Sequence, residues 1–123
     1  MSEFSSISCE INEHIARLVL KRPETGNAIN AIMAQEFQEA CCRIRENNDI
    51  YIVIITGSGN KFCVGSDTPI AVRNVAEELA GIEQPVIAAV NGDAIGQGLE
   101  LILSCDIRIA VPQARFGLPH MRA

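Results

Sequence analysis

Residues 85–106, PVIAAVNGDAIGQGLELILSCD, limit what this chain can fold into more than any other part of it. The stretch opens on an unbroken apolar run, Val86 to Val90, with the length and composition of a strand buried on both faces. Asn91-Gly92-Asp93 breaks the run, as turn residues do. Gly96-Gln97-Gly98 then opens a second apolar run (Leu99, Leu101, Ile102, Leu103) that carries one acid, Glu100, in its first turn. A buried strand, a glycine turn and a helix leave the first amide N–H groups of the helix without intrahelical acceptors, pointing at whatever sits above the turn. Such a place suits a ligand oxygen that gains negative charge.

The flanking segments repeat the alternation of strand and helix. Ile7–Glu10 and His14–Leu20 are two β-rich runs about Asn12-Glu13, which predicts a hairpin. Lys21 to Gly26 is loop by its Pro and Gly, and Asn30 is placed to cap a helix. From Ala31 to Glu46 the apolar positions Met33, Phe37, Ala40, Cys41 and Ile44 recur every three or four residues, an amphipathic helix. Tyr51–Thr56 predicts a second buried strand, 57–65 a glycine-bearing loop, and 69–81 a helix with Val72, Val75, Leu79 and Ile82 on one face. Ile107–Val111 predicts a third core strand, followed from Pro112 by a loop containing Phe116 and Pro119. The fold class is α/β, with parallel strands and one domain over 1–123.

Composition narrows the function classes. With 48% hydrophobic and 20% charged residues the chain reads as soluble and globular. A net charge of −5 and an absence of Trp argue against a nucleic-acid partner, which wants a basic surface and stacking platforms. The five cysteines form no CxxC pair and the two histidines give no zinc spacing, so reduced thiols in a cytoplasmic protein are expected, with no metal. No run approaches membrane-spanning length and no signal peptide is evident, so no membrane partner is expected. Residues 57–65 contain no GxxxxGK[ST] triphosphate loop, and 96–98 lack the third glycine of a dinucleotide fingerprint.

Five separated segments carry a family resemblance: KRPETGNAINAIM, Ile54 to Asp67, QPVIAAVNGDAIGQGLEL, SCDIRIA and ARFGLP. In that order they resemble the enoyl-CoA hydratase/isomerase family, the crotonases, from about Ile15 to Pro119. The resemblance implies the ClpP/crotonase spiral of ββα units with two near-perpendicular sheets, here its N-terminal portion. The usual last spiral turn and C-terminal trimerisation helices lie beyond the sequence that matches. It also implies a homo-oligomer (a trimer or a pair of trimers) acting on an acyl-CoA thioester, with coenzyme A as part of the substrate and no separate cofactor.

By position, the resemblance assigns the two backbone N–H groups that hold the thioester oxygen to Ser66 and Gln97. Losing one such donor typically costs roughly 3 kcal/mol of transition-state stabilisation. The first hydratase glutamate falls on Glu100, three residues beyond Gln97 and near the same helical face. Its apolar neighbours are expected to leave the carboxylate little water and to raise its pKa. The second falls on His120, after Gly117-Leu118-Pro119, a departure from the hydratase pair that an imidazole can fill in role but not in charge. Adenine and ribose contacts fall near Asn27-Ala28 and Gly65-Ser66-Asp67, and Arg22 is placed to approach a phosphate.

Blander readings stand beside these. Glu100 is also what a helix dipole favours in a first turn, His120 is also a surface residue near a chain end, and Arg22 is also a solvated strand-end charge. His14 reads as solvated beside its turn, and Cys63, without a basic neighbour, as a buried thiol rather than a nucleophile. The expected activity is addition of water to a 2-enoyl-CoA. The alternatives are double-bond isomerisation, for which one acid–base group suffices, and a truncated relic that binds CoA without turnover.

Overall fold

The computed structural model describes residues 4–66 and 75–118. Asp67, Val72, His120 and the N-terminal part of the helix expected over 69–81 lie outside the described residues.

The first strands are β1 (Ile7–Asn12) and β2 (Ile15–Leu20), an antiparallel hairpin in which Ile7 pairs with Leu20 and Asn12 with Ile15. Glu13 turns the chain with φ of 56°, in the left-handed region. His14 is exposed, yet it is held in place: its Nδ1 lies 2.8 Å from the Asp49 carbonyl oxygen and its ring stacks on Tyr51. Helix α1 (Ala31–Arg45) starts where Asn30 accepts from the Met33 N–H at 2.9 Å. It buries every apolar position that the periodicity predicts, and Ala34 besides.

From there the chain makes the same move twice and begins it a third time. A strand enters the large sheet, a short strand enters a small one, and a helix or loop brings the chain back. The first pass is β3 (Ile52–Gly57), β4 (Lys61–Cys63) and α2 (Val75–Ala80). The second is β5 (Val86–Val90), β6 (Asp93–Ile95) and α3 (Gln97–Leu103). The third is β7 (Ile107–Ala110) and β8 (Phe116–Gly117). The large sheet has the order β1-β2-β3-β5-β7 and the small sheet β4-β6-β8, with every pairing parallel except β1 with β2. Parallel neighbours need a crossover, and these helices and loops supply it.

One face of the large sheet is core. Ala16, Leu18, Leu20, Val53, Ile55, Val86, Ala88 and Val90 lie there with the apolar faces of the helices. The opposite face is also largely apolar but stays open: Ile52, Ile54, Ile87 and Ala89 are partly exposed, and Ile107 and Ile109 are 51% and 63% exposed. The expectations of strands buried on both faces and of a core strand at 107–111 are therefore corrected. β7 is an edge strand with all four residues exposed. Its isoleucines continue a row across the sheet through the pairing of Ile87 with Ile107 and of Ala89 with Ile109. The short strands are a second correction, since 57–65, 91–96 and 112–118 were expected as loops and turns alone.

All five cysteines are free. Burial pushes the Cys41 and Cys105 thiols up to about 12 and the Cys63 thiol up to about 11, while Cys9 and Cys42 are half-buried. Thiolate is the reactive form. With iodoacetamide at pH 8 we expect Cys42 to be labelled first and Cys41, Cys63 and Cys105 only on unfolding. Peptide mass mapping of a time course checks this; rapid labelling of Cys63 in the native protein would contradict the packing.

Candidate active site

The small sheet sets out two of the residues that the sequence singled out, because two of its short strands lead into them. β4 runs into Val64-Gly65-Ser66 and β6 into Gly96-Gln97. Two close approaches bring these together. A Cβ on Gly98 would lie 2.0 Å from the Cys63 carbonyl oxygen, so the start of α3 rests directly on the backbone of β4. Gly65, at φ of 111°, lies against the Ile95 carbonyl oxygen, 3.6 Å from where its Cβ would be. The turn into α3 also needs its glycine: Gly96 has φ of 59° and ψ of −121°, a conformation that side chains resist. Gln97 is then the first helical residue, and its N–H has no acceptor within the helix.

Side chains around these amides are largely committed. The Ser66 hydroxyl donates to the Ile29 carbonyl at 3.0 Å. The Gln97 side-chain oxygen is buried and without a hydrogen-bond partner among the described residues, so this side chain folds against the protein. Cys63 lies buried beneath the loop with its thiol 3.7 Å from the Gly65 carbonyl. Glu100 is exposed, and this corrects the expectation of a carboxylate with little water. Its sequence neighbours Leu101 and Ile102 turn into the core, while Leu103, three residues on, shares the outward side and is 61% exposed.

The residues assigned to coenzyme A also come together, but not all as ligand contacts. The Val64 N–H donates to Gly26 and the Ile29 N–H to Gly65, which lays 26–29 along 64–66, and Ile29 and Ser66 form a parallel bridge. Arg22 donates through its guanidinium to the Ala28 carbonyl. Asn27 is fully buried: its amide nitrogen donates to the carbonyls of Ser58, Lys61 and Phe62, and its oxygen accepts from the Arg22 N–H at 2.7 Å. The Asn27 side chain thus braces the 57–62 loop from inside, and Ala28 is 6% exposed. Asn91 braces the same loop from the other side, accepting from Gly57 and donating to Gly59 and Lys61. His120 and Asp67 lie outside the described residues.

The family model described as enoyl-CoA hydratase/isomerase matches residues 10–123. The chain belongs to this family. Among relatives, a putative enoyl-CoA hydratase/isomerase of Bacillus subtilis is 42% identical over 89% of this chain and 48% of its own length. A short-chain-enoyl-CoA hydratase of Clostridium acetobutylicum is 35% identical over 97% of this chain and 51% of its own. The crystal structure of an enoyl-CoA hydratase from Bacillus anthracis superposes with a TM-score of 0.86 at 33% identity, covering 93% of this chain and 50% of that one. The chain thus spans about half the length of the enoyl-CoA hydratase/isomerase relatives it matches. The crotonase fold read from the motifs holds, in a mixed α/β structure that covers the N-terminal half of those folds. Among the described residues no helix is long and apolar enough to cross a membrane, and no cluster of three His, Cys, Asp or Glu is placed to hold a metal ion.

Proposed function

We propose that this chain carries the thioester-activating part of an enoyl-CoA hydratase, with a 2-enoyl-CoA as substrate and coenzyme A entering as part of it. The observation that carries the reading is the packing of the Gly65-Ser66 and Gly96-Gln97 loops against each other, with Glu100 three residues along the helix that Gln97 opens. The Ser66 and Gln97 N–H groups hold the thioester oxygen as it takes on enolate charge, and preorganised donors favour that charge more than they favour the ground state. Glu100 orients and deprotonates the attacking water. Its carboxylate is exposed on this face of α3, open to that water. His120 exchanges the proton at the α-carbon, and the 22–29 and 64–67 segments carry coenzyme A, with Arg22 on the phosphate side.

A relative from Syntrophomonas wolfei is named a crotonyl-CoA hydratase and is 35% identical over 96% of this chain, which supports a short acyl group. The histidine at position 120, where the hydratase pattern has glutamate, favours a second reading, isomerisation with Glu100 as the one acid–base group. Incubation with crotonyl-CoA and, separately, with a 3-enoyl-CoA decides between them. Loss of the conjugated-enoyl absorbance means hydration, and its appearance from the 3-enoyl substrate means isomerisation. No change with either substrate would leave the relic that binds CoA without turnover.

A further inference from the structure

Asp93 is read from the sequence as a turn residue, yet it is one of the most connected side chains in the structure. It opens β6, and its side chain is 11% exposed. Lys61, which opens β4, donates to its Oδ2 at 3.1 Å. Arg115, just ahead of β8, donates to the same oxygen through Nη2 at 2.8 Å and Nε at 3.2 Å, and its backbone N–H donates to Oδ1 at 3.0 Å. One carboxylate thus ties all three strands of the small sheet at the ends where they begin. The other ends of β4 and β6 lead into Ser66 and Gln97.

We propose that Asp93 is a positioning residue of the active site, fixing the relative register of the three short strands so that the Ser66 and Gln97 amides converge on one oxygen. The proposal deepens the reading of the site as an oxyanion hole and rests on it. The strands are only two or three residues long, and β4 is irregular, its register shifting between Lys61 and Cys63. Ladder bonds on so short a sheet specify register weakly, so a side-chain tie has register to set. Charge-assisted bonds with a two-pronged guanidinium add direction as well as strength. The two cations facing it from β4 and from the segment before β8 hold the Asp93 carboxyl well below the usual carboxylate range. A carboxyl whose folded pKa is lowered contributes stability that is complete above its unfolded value of about 4 and is lost as pH falls below it. The tie is therefore intact throughout the neutral range.

The test compares wild type, Asp93→Asn, and Arg115→Met, whose Arg115 side chain is 78% exposed and tolerates removal where the buried change does not. The readouts are kcat and KM for crotonyl-CoA and the backbone amide spectrum of 15N-labelled protein. We expect kcat to fall at least tenfold in Asp93→Asn and several-fold in Arg115→Met, with KM within about twofold, since the lost interaction acts in the transition state. The Ser66 and Gln97 amide signals shift and exchange faster, while those of α1, β3 and β5 keep their wild-type positions. The urea midpoint difference between wild type and Asp93→Asn is full above about pH 4 and closes on further acidification. Unchanged Ser66 and Gln97 amides in Arg115→Met overturn the positioning role whatever the activity, as does unchanged kcat with only a lower melting temperature. If those amides move but wild type turns over no enoyl-CoA, Asp93 still sets the register, and it is the assigned reaction that fails.

Discussion

Glu100→Gln is expected to lower crotonyl-CoA turnover about 100-fold or more, the worth of a positioned acid–base group, while KM and melting temperature stay close to wild type. Glutamine keeps the shape and hydrogen-bonding reach of the side chain and removes its ability to take a proton. Since Glu100 is exposed and no core contact depends on it, a loss of rate cannot be ascribed to unfolding. The competing view, an acid that merely complements the helix dipole, makes the opposite forecast: stability down by about 0.3–1 kcal/mol and rate untouched. Steady-state kinetics with a thermal melt on the same sample separates the two. Equal rates for wild type and variant would remove Glu100 from the mechanism.

The second large effect is structural and carries an informative sign. Alanine is worth about 1 kcal/mol more than glycine inside a helix, so propensity alone says that Gly98→Ala stabilises α3. The packing says otherwise. The added methyl would sit 2.0 Å from the Cys63 carbonyl oxygen and 2.8 Å from its carbon, and both are backbone atoms that cannot swing aside. Either α3 lifts off β4 or the local structure opens, and we expect a loss of about 3 kcal/mol, at the upper end for overpacking, together with loss of turnover as the two loops part. Urea denaturation measures the first and crotonyl-CoA kinetics the second. A Gly98→Ala protein as stable as wild type would show that helix and strand do not approach so closely.

Much of the architecture was legible in the sequence, for reasons that differ by element. Helix α1 has a long apolar period and an asparagine cap, two independent signals that agree. The Gly96-Gln97-Gly98 turn was legible because a strained backbone and a close contact both demand glycine there. The short strands were not. Two or three residues cannot show alternation, and Asp93 at the head of β6 reads as the end of the Asn91-Gly92-Asp93 turn. Missing the strand concealed what Asp93 does, although an acid opening β6 between basic residues at 61 and 115 was a signal available in hindsight. Asn27 was placed near the ligand by its position in the family resemblance; that position does not reveal that its side chain is fully buried and braces a loop, at a φ of 61°. Glu100 was judged by its sequence neighbours, but successive helical residues point about 100° apart, so flanking leucines say little about what surrounds a carboxylate. With β7 the strand was read correctly and its burial was not, because apolar residues mark a face without revealing whether anything lies on it.

That bare row of isoleucines sets how the isolated chain behaves in bulk solution. Copies that meet face to face can shed water from it, and the edge of β7, unpaired among the described residues, offers a template for sheet growth from one molecule to the next. The net charge of −5 opposes such encounters through mutual repulsion, which added electrolyte weakens. Clustering therefore grows with ionic strength, the reverse of what ion-pair attraction between molecules would give, and dilute buffer low in salt is the medium in which single molecules persist.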